Sequence, residues 1–120
     1  MTAYNLNTGD IVWQVPTGAG LERVRNHPAL KSVTLPPLGG LGAPGGPLVT
    51  KTLLIYALTG AVSGESRGTL VAYDKATGAV VAEVPLPATP LGTPMTYAMG
   101  GRQYIALTLQ GGQMVALSVR

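Results

Sequence analysis

Few residues in this chain have the types and spacing to do chemistry, and each also has a plainer role. Gly45-Gly46-Pro47 is the best binding candidate. Two residues without side chains let backbone N–H groups approach a planar anionic ligand, although the same glycines serve equally well to turn the chain into a strand. Gly64-Glu65-Ser66-Arg67-Gly68 has the G-x-S-x-G spacing of a nucleophile elbow. That device needs a strand-to-helix turn with acid and His partners further on, whereas the single His, His27, lies upstream, so a hairpin loop is the better account. Gly40-Leu41-Gly42-Ala43-Pro44-Gly45 spells G-x-G-x-x-G, but a dinucleotide site needs a helix next, and Pro47-Leu48-Val49-Thr50 reads as a strand. His27 has only Glu22 as a nearby carboxylate, fewer ligands than a metal ion requires. Asp10 and Asp74 sit in turn sequences, where local backbone hydrogen bonding accounts for a carboxylate. Trp13 is either an aromatic platform for a ring or a packed residue, and its place in a hairpin favours packing. No catalytic residue and no metal ligand is assigned.

These residues must be positioned by strands. Seventeen Gly and ten Pro are dispersed along 120 residues without a collagen period, and no segment keeps a helical spacing of apolar residues for long. With 46% hydrophobic and only 11% charged residues, the composition is that of buried sheets and not of a disordered chain. The formal charge of +3 comes from singly scattered Lys and Arg, without the clustered stripe that nucleic acid requires. No Cys is present, which removes disulfides and thiolate metal sites. No apolar run approaches the roughly 18 residues of a membrane span. Met1-Thr2-Ala3-Tyr4 lacks a charged segment followed by an apolar one, so no export signal is read there.

The strands repeat. Ala3-Tyr4-Asn5-Leu6-Asn7-Thr8-Gly9-Asp10-Ile11-Val12-Trp13 recurs as Ala72-Tyr73-Asp74-Lys75-Ala76-Thr77-Gly78-Ala79-Val80-Val81-Ala82, each copy two β-prone runs around an Asn/Asp-Thr-Gly turn. Gly46-Pro47-Leu48-Val49-Thr50 is echoed by Thr93-Pro94-Met95-Thr96-Tyr97, and Gly68–Asp74 by Gly112–Ser118, an offset in the mid-forties. Four strands in about 40 to 50 residues is the signature of a propeller blade. The expected class is all-β, a partial β-propeller of about two and a half four-stranded antiparallel blades. Residues 1–16 would end one blade, 17–46 link it to the next, 47–85 form a complete blade, and 86–120 form a last blade lacking its outer strand. Within the complete blade, strands are expected near 47–50, 53–57, 69–74 and 79–84, and in the last near 94–98, 103–108 and 113–119. Antiparallel order puts the long segments 16–46, 58–68 and 85–93 on one face and the tight turns on the other, so a site would sit on the loop-rich face, around 43–47 and 91–94.

Residues 3–13, together with Gly45-Gly46-Pro47-Leu48-Val49-Thr50, Gly92-Thr93-Pro94-Met95-Thr96-Tyr97 and Gly101-Arg102-Gln103-Tyr104-Ile105, resemble the tryptophan-docking repeat and closing blades of the pyrroloquinoline-quinone-dependent alcohol and glucose dehydrogenases. The resemblance implies an eight-bladed propeller that binds the quinone beside calcium over its axis and oxidises an alcohol or aldose in the periplasm. It also implies that the catalytic base and metal ligands lie in earlier blades, since none maps here. The chain alone is then expected to be inactive and to bind neither group, with Gly45, Gly46 and Pro47 as its one contribution to the cofactor pocket. Its partners would be the remaining blades, the parent's small alcohol or sugar substrate, and further copies met through open blade edges. The alternative is a non-enzymatic propeller scaffold or protein-binding segment of the outer-membrane-assembly type. Two departures stand out: Ala82 replaces the tryptophan of the second docking repeat, implying a looser boundary, and residues 58–66 form a longer loop than the family's usual one.

Overall fold

The structure, a computed structural model, describes residues 1–60 and 67–119. The first sheet pairs β1 (Thr2–Tyr4) with β2 (Ile11–Gln14). The second holds β3 (Leu48–Val49), β4 (Leu53–Thr59), β5 (Gly68–Asp74) and β6 (Val80–Leu86) in that spatial order, and the third β7 (Met95–Met99), β8 (Arg102–Leu109) and β9 (Gln113–Ser118). All pairings are antiparallel between sequence neighbours. The segment between the first two sheets carries one helical turn, α1 (Glu22–Arg25), and a 3-10 turn at Pro28–Leu30.

The turns show why these residues fold into hairpins. In the first, Gly9 adopts φ +78° and its N–H donates to Asn5 O at 2.7 Å, while Asn5 N–H donates to Asp10 O at 2.9 Å. In the second, Gly78 adopts φ +75° with its N–H on Asp74 O at 2.8 Å, and Asp74 N–H donates to Ala79 O at 2.8 Å. A side-chain oxygen closes each turn from inside: Asn5 Oδ1 accepts from Asn7 N–H, and Asp74 Oδ1 accepts from Ala76 N–H, Thr77 N–H and the Thr77 hydroxyl. Both hairpins also carry an irregularity at the same place, between Ala3 and Tyr4 and between Ala72 and Tyr73. Only a residue tolerant of positive φ fits the fifth position of such a turn without strain, which is what glycine supplies.

The central strands of the middle sheet, β4 and β5, bury both faces, which explains apolar runs such as Leu53-Leu54-Ile55-Tyr56-Ala57-Leu58 where simple alternation would mark a half-exposed strand, while β6 stays exposed along most of its length. Ile55, Ala57 and Leu70 turn one way, joining Leu107 and Leu109 of the third sheet in one core. Leu58, Val71 and Tyr73 turn the other way, and Met1 and Val15, which flank the strands of the first sheet, pack on them. Three sheets standing side by side, joined through the faces of the middle one and not closed into a barrel, make an all-β part of a β-propeller.

Candidate functional site

The inner edge of each larger sheet is interrupted at the position singled out by sequence. Ahead of β3, Gly42 bridges Leu58, and Ala43 N–H donates to Ala57 O at 2.9 Å. Ahead of β7, Pro90 bridges Leu109, and Leu91 N–H donates to Thr108 O at 3.0 Å. The chain therefore follows β4 and β8 from the loop-rich end, leaves the ladder at Gly45-Gly46 and at Gly92-Thr93, and rejoins it in β3 and β7. The two breaks touch. Gly45 adopts φ +114°, and a Cβ on it would stand 2.7 Å from Thr93 N and 2.8 Å from Thr93 Oγ1. Gly46 N–H donates to Thr93 Oγ1 at 2.8 Å.

This contact bears on how the turn could hold a planar anionic ring. Gly45 is required by the approach of the neighbouring loop, the Gly46 N–H already has its acceptor, and Pro47 has no N–H to give. The donor set seen here fits the adjacent loop, and no chemical step is assigned through it.

The remaining candidates fall apart in space into local roles. His27 Nδ1 accepts from Ala29 N–H at 3.2 Å, capping the 3-10 turn. Arg25, on α1, donates to Ala19 O and Pro36 O and so ties the linking segment to itself. Asp10 and Asp74 stay in their turns, and the hydrogen bonds from Thr77 hold the Asp74 carboxyl below its ordinary value. Gly40–Gly45 leads into β3 and not into a helix. Residues 64–66 of the G-x-S-x-G run, and 61–66 of the lengthened loop, lie outside the described residues; Gly68 of that run opens β5. Among the described residues no three His, Cys, Asp or Glu side chains converge as a metal-holding group.

Trp13 is a packing residue. It is 9% exposed, its ring lies against Gly78 so closely that a Cβ there would be 2.7 Å from Trp13 Cε3, and its Nε1–H donates to Lys75 O at 3.0 Å. The indole of the first hairpin thus docks on the turn of the second. At the corresponding place in the next junction stands Ala82, on the wall of a cavity of about 600 Å³ between the second and third sheets. A smaller cavity of about 290 Å³ on the other face of the second sheet is lined by Pro16, Tyr73 and Glu83 among others. Burial first, and then the Glu83 charge and Tyr56, push the Tyr73 hydroxyl above its ordinary value. The large cavity was foreshadowed by the Trp13-to-Ala82 difference between repeats; the small one has no sequence signal, because the segment that roofs it has no periodicity.

Side-by-side sheets tied by an indole on a glycine turn define the class, a propeller assembled through docked hairpins. Residues 1–105 match the family described as PQQ-type glucose/ethanol/alcohol dehydrogenase, beta-propeller domain, and the chain belongs to that family. Among similar proteins, the quinoprotein glucose dehydrogenase of Gluconobacter oxydans (strain 621H) is 36% identical over 113 residues, 93% of this chain. The probable quinate dehydrogenase (quinone) of Xanthomonas campestris pv. juglandis is 30% identical over 115 residues, 94% of this chain. The chain spans 13% and 14% of the length of these relatives.

Proposed function

We propose that this chain is the blade-building part of a pyrroloquinoline-quinone-dependent dehydrogenase that oxidises an alcohol or an aldose hydroxyl in the periplasm. The observation that carries the reading is the family match over residues 1–105, joined to relatives that act on glucose and, by name, on quinate. The quinone, when bound, supplies the oxidant, and the fold positions it against the substrate. A carboxylate base for the hydroxyl proton, and ligands for calcium, are assigned to other blades, because among the described residues the carboxylates Asp10, Glu22, Asp74 and Glu83 stand on separate segments. The contribution of Gly45, Gly46 and Pro47 is to shape one wall of the loop-rich face, by small size and by the lock onto Thr93 and not by a free Gly46 N–H. By itself the chain supplies walls and no chemistry.

A chain extended to the length of the relatives, loaded with the quinone and calcium, tests this. Saturable quinone binding and dye reduction by glucose or simple alcohols are expected, and the same 120 residues alone should give neither. Quinone uptake absent from the extended chain would overturn the reading in favour of a non-enzymatic propeller scaffold.

A further inference from the structure

We infer that the cleft between the second and third sheets is a binding site for a small, uncharged, planar aromatic molecule with a ring N–H, of indole size. The inference is independent of the quinone reading. The cleft opens beside the Thr50-Lys51-Thr52 turn, the opposite end of β3 from Gly45-Gly46.

The two junctions of this molecule share their strand register, although the glycine turn beneath Trp13 has no counterpart among the described residues of the second, and one contains its ring while the other does not. Strand register makes Leu53 with Asp74 equivalent to Tyr104 with Ser118. The next residue is held identically in each: Lys75 N–H donates to Thr52 O at 2.9 Å, and Val119 N–H donates to Gln103 O at 2.9 Å. Lys75 O is the acceptor for the Trp13 indole. Val119, its counterpart, lines the cleft, and across from it stands Ala82, the counterpart of Trp13. So the second junction keeps the strand position whose backbone carbonyl receives the indole N–H in the first, and lacks the indole.

The walls suit a flat apolar ring. Leu53, Ile55, Leu70, Val84, Ile105 and Leu117 face into a space of about 600 Å³, within the range of small-molecule pockets. The one charged residue on the lining is Lys51, which disfavours a cation, while the six aliphatic side chains favour an uncharged ring over a charged one that would lose its hydration. Apolar area gives the affinity, and a single carbonyl gives the orientation.

The test is an NMR titration of the 120-residue chain with indole as the probe. Saturable shifts at Ala82, Leu117 and Val119 are expected, with contacts from the indole ring to the Ala82 methyl. 1-Methylindole keeps the ring and loses the donor, and should bind on the order of five-fold more weakly. Ala82→Trp supplies the ring covalently and should abolish the saturable shifts while raising the thermal midpoint; Ala82→Phe reports the same competition if the larger residue does not fold. Absence of saturation up to the solubility of indole, equal affinity for the methylated ring, undiminished binding to the substituted chains, or shifts centred on Tyr73 and Glu83 would each overturn the assignment. The first of these is also the result if another segment or a second copy fills the cleft.

Discussion

At the scale of single residues, the chain depends most on Trp13. The indole joins two hairpins through a hydrogen bond between residues 62 apart in sequence, and it satisfies a turn carbonyl while excluding water from a glycine. Trp13→Ala should therefore lower unfolding stability by about 3 kcal/mol, within the range of large-to-small aromatic substitutions. Val12→Ala, at a side chain 55% exposed, should cost no more than about 0.5 kcal/mol. Denaturant unfolding followed by circular dichroism checks both. Asp74 makes a different prediction, about pH. Its carboxyl lies below the ordinary value of 3.8 because the Thr77 hydroxyl, and then the Thr77 and Ala76 N–H groups, donate to its ionised form. A carboxyl whose value is lowered by folding stabilises the fold above its unfolded value and loses that contribution as pH falls through the folded one. Thr77→Ala should thus move the Asp74 titration upward toward 3.8, and the stability difference between the two proteins should shrink below about pH 4. Carbon-detected NMR titration reads the first, and urea midpoints against pH the second. Sequence alone favours packing for Trp13 but a tryptophan does not name its partner; only the fold brings Gly78 and Lys75 beneath it.

At the scale of elements, hairpins are legible and loops are not. The expected strand positions agree with β4 to β9 to within about two residues, the usual scatter at strand ends, because Asn/Asp-Thr-Gly turns and Gly-rich breaks fix where each strand must stop. The innermost strand of the middle sheet, expected near 47–50, is only Leu48–Val49. The Gly45-Gly46 break precedes it, and directly after it Thr50 folds back, its hydroxyl donating to Leu53 O and accepting from Leu53 N–H. The helical turn at Glu22–Arg25 gives no periodic signal because four residues carry none. The break itself makes the element-scale prediction. Gly45 is in the left-handed region with the Thr93 backbone against it, whereas the nearest atom to a Cβ on Gly46 is Thr93 Oγ1 at 3.9 Å. Gly45→Ala should cost more than about 1 kcal/mol, and Gly46→Ala should be near neutral. Thr93→Val removes the acceptor for the Gly46 N–H and should cost about 0.5 to 1 kcal/mol. A ranking with Gly46→Ala worst in chemical denaturation would mean that the two loops do not meet as described.

At the scale of the whole molecule, the decisive feature is a sheet face with no sheet upon it among the described residues. Ile105, Leu107 and Leu109 of β8 point into the shared core, so Tyr104, Ala106 and Thr108 point away from it. Residues directly opposite share a face, which places Met95 and Tyr97 of β7 and Met114 of β9 beside them. There the Tyr97 and Tyr104 rings stack with centroids 5.2 Å apart, while Met95 and Met114 are 54% and 69% exposed. Among the described residues the outer edge of β9 also has no strand partner. An open edge next to an exposed patch of methionine and tyrosine is adhesive, since unpaired N–H and C=O groups and apolar area both gain by contact. The 120-residue chain should accordingly self-associate as its concentration rises, and light scattering behind size-exclusion chromatography would record a mass that grows with loading. Met95→Lys combined with Met114→Lys should shift the distribution toward the monomer, because two charges on one face repel their counterparts and resist burial. A chain extended to the relatives' length should be monomeric without those substitutions if further blades cover the same face. A sharp, concentration-independent monomer peak for the 120-residue chain, with a cooperative thermal transition, would mean that the face is content in water and that this part of the propeller is stable without neighbours.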